Sequence, residues 1–270
     1  MATVATSGEA PRREVSLERI FSRGFGTIRA NPVATLGIAF LCGALPSVLI
    51  NLAVRSVQTA SVMARIGFSG MIALSLLSLV IGIVLNAITQ GALVRATVAH
   101  SRGRESSFGE SITAGLVVII PLIAASILNA IAVGVGFVLL IVPGIMLYCR
   151  WAVIAPIVVE ERTGPIAAFG RSAALTDGAR WKVLGLTALV VVGAWIVQGA
   201  LAGALIATLG FRSLGTAPGN FGASLGYLVV TVLVATLVSC VWSVLVSALY
   251  VELRDWKDGP PVETLAEVFR

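Results

Sequence analysis

Long apolar runs alternate with short, charge-bearing stretches along the whole chain. Six runs are long enough to cross a hydrocarbon layer, which takes roughly 20 apolar residues: about 33–54, 70–98, 112–133, 136–158, 183–209 and 222–251. Each predicts a helix, because lipid leaves no other way to satisfy the backbone of an isolated span. Only Ala132-Val133-Gly134-Val135-Gly136 separates the third run from the fourth, so the glycine-rich stretch predicts a tight hairpin, or a helix that enters and turns back. The stretches between runs are also patterned. Residues 15–29 place Leu17, Ile20, Phe21, Phe25 and Ile28 on one helical face and Arg19, Arg23 and Arg29 elsewhere, the pattern of a helix in the headgroup layer. Ser107 and Glu110 stand at capping-box spacing ahead of the third run. Pro165 fits the first turn of a short helix over 163–176, and Arg180-Trp181-Lys182 reads as an interfacial anchor before the fifth run.

The fold class is therefore all-α: a polytopic membrane protein with six transmembrane helices in three hairpins and amphipathic interfacial helices on one side. Residues 1–14 read as a disordered basic N-terminus, 15–257 as a single membrane domain and 258–270 as a short tail. Composition agrees. Of 270 residues, 57% are hydrophobic and 12% charged, about half the charge of an ordinary soluble domain. Mean hydropathy is +0.99.

The basic residues set the orientation. Sixteen of the 19 fall in the N-terminal segment, 95–111, 150–182 and the tail, regions that six spans place on one side together with all 13 acidic residues. Arg55, Arg65 and Arg212 are left for the other side. The positive-inside rule then predicts cytoplasmic termini in a bacterial inner membrane. No cleavable signal peptide is expected, because no early apolar stretch follows the basic start. Cys42, Cys149 and Cys240 all lie inside apolar runs and read as small packed residues rather than a disulfide or metal framework.

Candidate chemistry is sparse. His100 is the single histidine and lies in a basic patch. No metal-ligand spacing, catalytic triad or phosphate loop is present, so neither enzyme chemistry nor a cofactor is expected, and nothing suggests nucleic acid as a partner. The second run is the most polar helix: Ser75, Ser78, Gly82, Asn86, Thr89 and Gln90 recur at three- and four-residue steps. In lipid such a stripe either packs against other helices or lines a wet cavity. Ser239, Ser243 and Ser247 repeat the theme in the sixth run, and Gly199 and Gly203 make a GxxxG pattern in the fifth. Asn129 and Gln198 are further amides in need of partners.

Arg150 sits in IVPGIMLYCRWAVIAPIVVEE, residues 141–161. An arginine at the bilayer centre costs about 2.5–3.5 kcal/mol on insertion scales. It therefore either faces a polar interior or marks the interface by snorkelling. In the second case span four runs about 134–151, Pro143 and Gly144 form a broken helix in mid-membrane, and 152–161 continues at the surface with a bend at Pro156. Glu160, Glu161 and Glu110 are then possible partners for Arg150 and Arg171. Three tetrapeptides, beginning at Phe21, Phe108 and Phe169, each precede an outward span, and Arg95, Arg150 and Arg254 lie on the returning helices. This is either a triplicated hairpin or convergence on headgroup-compatible residues.

Residues 142–186 carry Val142-Pro143-Gly144, Arg150, Glu160, Gly164, Ala168, Arg171-Ser172, Leu175-Thr176, Gly178 and Trp181 in order. With residues 21–32 and 91–112, this pattern resembles a bacterial family of six-span membrane proteins. That family includes the membrane domain attached to some glycerophosphodiester phosphodiesterases and the YciC-like inner-membrane proteins. The resemblance implies a six-helix membrane domain and no transferable catalytic residue, since the phosphodiesterase activity belongs to a separate soluble domain.

The expected function is that of a non-enzymatic membrane protein that binds or senses lipid, with Asn86, Gln90, Asn129, Arg150, Glu160 and Arg171 as the candidate polar cavity or headgroup site. A small transporter of a lipid-like or polar solute and a scaffold or accessory subunit are the alternatives. Membrane lipids are the expected partners, with a homo-oligomer or another membrane protein also in view.

Overall fold

The computed structural model describes residues 15–57, 60–101, 109, 113, 117–209 and 221–259. Regular structure among them is entirely helical. The order is α1 (Leu17–Ala30), α2 (Pro32–Ile38), a π-helical turn (Ala39–Ala44), α3 (Leu45–Val57), α4 (Ala60–Ser101), α5 (Ile119–Leu139), α6 (Ile141–Arg150), α7 (Ile154–Glu161), α8 (Pro165–Thr176), α9 (Arg180–Leu209) and α10 (Phe221–Lys257). Six segments are long and apolar enough to span a membrane: Pro32–Ile50, Gly67–His100, Ile119–Leu139, Ile141–Glu161, Arg180–Leu201 and Val229–Lys257. The protein is an all-α polytopic membrane protein. The expected N-terminal disorder over 1–14, the Ser107–Glu110 cap and almost all of the tail lie outside the described residues.

Proline placement explains many of the boundaries. Pro32, Pro121, Pro143, Pro156 and Pro165 each fall within the first three residues of a helix that follows a non-helical residue, where an amide has no intrahelical acceptor and its absence costs nothing. Pro46 is the exception. It follows directly on the π-helical turn, where the Leu45 amide bonds Phe40 O, one residue beyond the α-helical acceptor. The wider turn accommodates a ring that would otherwise strike the carbonyl four residues back. Gly67 (φ 63°, ψ −174°) interrupts α4 near its start in a region of backbone space that side chains disfavour.

Two expectations from the sequence are corrected. The third and fourth segments do not turn at 132–136. Gly134 and Gly136 are inside α5, and the chain reverses on one extended residue, Leu140 (φ −161°, ψ 145°). The glycines serve close approach instead. A Cβ on Gly136 would lie 3.1 Å from Gly144 Cα, and one on Gly144 would lie 2.6 Å from the Phe137 ring. Nor are Pro143 and Gly144 the site of a helix break. They lie in the first turns of α6, and the interruptions flank that helix at Leu140 and at Trp151–Val153. Pro156 likewise begins α7 rather than bending a continuous one.

Packing is graded along the bundle. The main apolar core gathers the ends of the long helices that carry the charges: Val94 and Val98 of α4, Leu122 and Ala125 of α5, Leu175 of α8, Val183 and Leu186 of α9, and Leu249 and Leu253 of α10. Helix α7 is set among them, with Ile157 and Val158 fully buried. Toward the other end, Leu76, Leu79, Val138, Val192 and Leu237 are exposed. Lipid tails are as apolar as these side chains, so nothing drives them together there, whereas burial from water acts at the charged end. A smaller cluster, Ile38, Ala39, Ala92, Leu93, Cys240 and Val244, joins the first, second and sixth segments.

The Gly136–Gly144 approach gives a direct test. Gly144→Ala should destabilise the protein by roughly 1–3 kcal/mol through overpacking against Phe137, read as a lower apparent Tm in detergent by circular dichroism. Gly199→Ala, whose Cβ meets nothing within 4 Å, should stay within about 0.5 kcal/mol of wild type.

Candidate functional site

The charged end is organised by acidic residues that the helices bury. Glu252, on the last turns of α10, is 3% exposed. Its carboxylate accepts from Arg19 Nε at 2.8 Å and from the Ser16 amide at 3.3 Å, and lies 3.5 Å from Arg23. Arg23 also reaches Asp255 at 3.0 Å. These bonds hold α1 along α10, where Gly24 brings the two helices close enough for its Cβ to meet Leu245 at 2.9 Å. Lys182 donates to Val15 O at 2.9 Å and pins the entry to α1. The amphipathic face is thus divided: Ile20, Gly24 and Thr27 are buried by protein, and Leu17 and Phe25 remain exposed. Hydrogen bonding to Glu252 raises the pKa of Arg19, so this guanidinium stays charged.

A second group forms where α7 ends. Glu160, its side chain 2% exposed, lies 3.4 Å from Arg95 of α4. Glu161 accepts from the Tyr250 hydroxyl at 3.1 Å and from Arg171 Nε at 3.1 Å. Arg171 also bridges to Asp258, with Nη1 3.3 Å from Oδ1 and Nη2 bonded to Oδ2. Asp258 and then Glu161 raise the Arg171 pKa. Arg23 and Arg171, in matching positions of two of the phenylalanine tetrapeptides, therefore both clamp the end of α10. The third tetrapeptide, apart from Gly109, lies outside the described residues.

Arg150 belongs to neither group. Its carbonyl accepts two hydroxyls from α8, Ser172 at 3.0 Å and Thr176 at 3.1 Å, which cap the end of α6. Its side chain is exposed and makes no ion pair among the described residues. Val142, Met146 and Arg150 recur every four residues and are all exposed. The outward stripe of α6 is apolar for two turns and ends in a guanidinium.

The polar cavity expected from Asn86, Gln90, Asn129 and Arg150 is not assembled by any hydrogen bond among them. Gln90 Oε1 accepts from Ser243 at 2.8 Å, closing the seam between α4 and α10. Thr89 bonds its own helix at Leu85 O and packs beside Gly43 of the π-helical turn. Asn86 is exposed. Asn129 Oδ1 is buried without a hydrogen-bond partner among the described residues. Glu160 and Arg171 lie in ion pairs, and neither pairs with Arg150. Gly199 and Gly203 face open space, so the GxxxG stretch is not used for close packing among the described residues.

The residues that sequence reasoning overlooked are Glu252, Tyr250 and Asp258, and it read Arg19 only as part of the polar face of a headgroup helix. One signal was present: Glu252 is a carboxylate at the end of the apolar run VWSVLVSALYVEL, and a buried acid needs a basic partner. No family model, curated protein or solved structure matches this chain.

Glu252→Ala should leave Arg19 and Arg23 without their buried acceptor and loosen α1, at a cost of about 1–3 kcal/mol. Limited trypsinolysis reads this directly, with cleavage at Arg19 and Arg23 accelerating in the variant and hardly changing in Asp177→Ala, whose partner Arg180 is a surface neighbour three residues on.

Proposed function

We propose that this is a non-enzymatic integral membrane protein that binds anionic lipid headgroups at its charged end, in a bacterial inner membrane and with both termini in the cytoplasm. The observation that carries the reading is Arg150. It stands exposed at the foot of the apolar stripe Val142–Met146, on a backbone fixed by Ser172 and Thr176. A guanidinium held there is matched by phosphate, which accepts its fork of donors.

The charge balance supports the same reading. In the full sequence this end carries sixteen basic residues and thirteen acidic ones, a surplus of three. The acids at its centre are already paired, which leaves the outer arginines for anions in the membrane. Trp181, beside Arg180 and Lys182, is 84% exposed and suits the headgroup layer. Lipid binding is favoured over transport because Gln90, one of the amides expected to line a polar cavity, is taken up by Ser243, and because Arg150 faces outward. The resemblance to the six-span family of phosphodiesterase-linked and YciC-like membrane proteins is part of this proposal.

Native mass spectrometry of protein extracted with its lipids tests it. Wild type should retain anionic lipid, and Arg150→Ala should retain roughly five-fold less, the equivalent of about 1 kcal/mol per basic residue at a membrane surface. Arg150→Lys should fall between them. Wild type without retained anionic lipid, or equal retention in all three proteins, would overturn the reading.

A further inference from the structure

The α5–α6 hairpin differs from the other membrane turns in chemistry and in length. From Ala130 to Leu147 there is no polar side chain. The turn between the first two segments instead carries Asn51, Arg55, Gln58 and Arg65, and that between the last two carries Arg212, Ser213 and Asn220. A loop that emerges into water has polar residues of this kind. The α5–α6 apex has none: Val138, Leu139, Leu140, Ile141 and Val142 are 66–88% exposed, and together they form an apolar tip that no described part of the protein covers.

Length points the same way. Helix α6 has 10 residues, or about 15 Å of rise, against a hydrocarbon thickness of about 30 Å. Beyond Arg150 the chain passes through Trp151–Val153 into α7, whose Ile157 and Val158 are buried by protein rather than lipid. The first half of α5 belongs to the same packed layer through Leu122 and Ala125. On α6 the same layer reaches Cys149, with Ile145 packed against it, so what projects beyond it is the apex and the turns next to it. An exposed Arg150 places the end of α6 at headgroup depth, since lipid at mid-bilayer offers it nothing.

The turn itself is tight and satisfies part of its backbone internally. The Leu140 amide bonds Gly136 O at 3.1 Å, and the Gly144 amide bonds Leu140 O at 3.3 Å. Pro143 has no amide to satisfy. By helix geometry the amides of Ile141 and Val142 and the carbonyls of Phe137, Val138 and Leu139 fall outside the two ladders, so the reversal is confined to one residue of the chain on either side of Leu140. Glycines at 136 and 144 let the limbs close against each other, so the tip needs no bridging polar side chain.

We infer that α5 and α6 form a re-entrant wedge whose apex, Val138–Val142, ends among the lipid acyl chains instead of crossing to the far face. The occupant of this apolar surface is the bilayer interior. The wedge keeps six membrane-inserted segments and leaves both ends of the hairpin on the charged side. It shares with the proposed function the exposure of Arg150 and requires no bound headgroup.

Spin-label depth measurement in proteoliposomes tests the wedge. Single cysteines are placed at Val138, Val142 and Met146 in full-length protein with Cys42, Cys149 and Cys240 replaced by alanine. Val138, Val142 and Met146 are exposed, so labels there displace little packing. Oxygen accessibility should be greatest at Val138 and fall through Val142 to Met146, and impermeant maleimides should leave the Val138 cysteine unlabelled from either face. A cysteine at Arg65 serves as the water-exposed reference. Maleimide labelling of the Val138 cysteine from the Arg65 face, or an accessibility maximum at Met146, would overturn the wedge. Low oxygen accessibility together with protection from maleimide would also overturn it, because the tip would then be covered by protein. Lipid loss in Arg150→Ala leaves this depth profile unchanged if the two proposals are independent, so failure of one is distinguishable from failure of the other.

Discussion

Water is absent from the hydrocarbon layer, and this constraint sorts the residues of the molecule along its length. Charges cannot be left there, so acidic residues and most basic ones collect at one end. The hydrophobic effect loses its grip there too, since a leucine gains nothing by leaving lipid for another leucine. The same end of the bundle therefore holds both the ion pairs and the tightest apolar core. Glu252 and Tyr250 illustrate the combination: both are buried, and both bond polar partners while Leu249 and Leu253 pack beside them.

Acids and bases have different fates at that end. Glu160, Glu161 and Glu252 are covered and paired, each with an arginine from another helix. Those arginines tie α1, α4 and α8 to α7 and α10, and Arg95, Arg19 and Arg171 keep part of their surface open. Arg150 is outside this arrangement, and Ser172 and Thr176 fix its backbone without engaging its charge. Paired arginines thus organise the protein, and Arg150 stands exposed with no ion pair among the described residues. Backbone accounting governs the apolar end in a comparable way. Most of the described prolines stand at helix starts, where a missing amide is harmless, and the reversal at Leu140 is confined to a single extended residue bonded on both sides.

Much of this was legible in the amino-acid order. Run length and hydropathy determined the helical class and the six apolar segments, because the distance across hydrocarbon sets a minimum that six runs meet. The clustering of arginine determined which ends lie together. Arg150 was recognisable as a charge requiring an explanation, and Arg180-Trp181-Lys182 as the start of a helix. Tertiary structure decided what depends on neighbours distant in sequence. Gly134 and Gly136 look like a turn until Gly144 and Phe137 are seen to need the space, which moves the reversal to Leu140. Gln90 looks like a cavity residue until Ser243, 153 positions away, uses its oxygen. Glu252 acquires its partners only when α1 folds back along α10. Periodicity reports which face of a helix is apolar, but the group that fills the space opposite is fixed by packing between helices, and that pairing is not encoded in any local stretch of the chain.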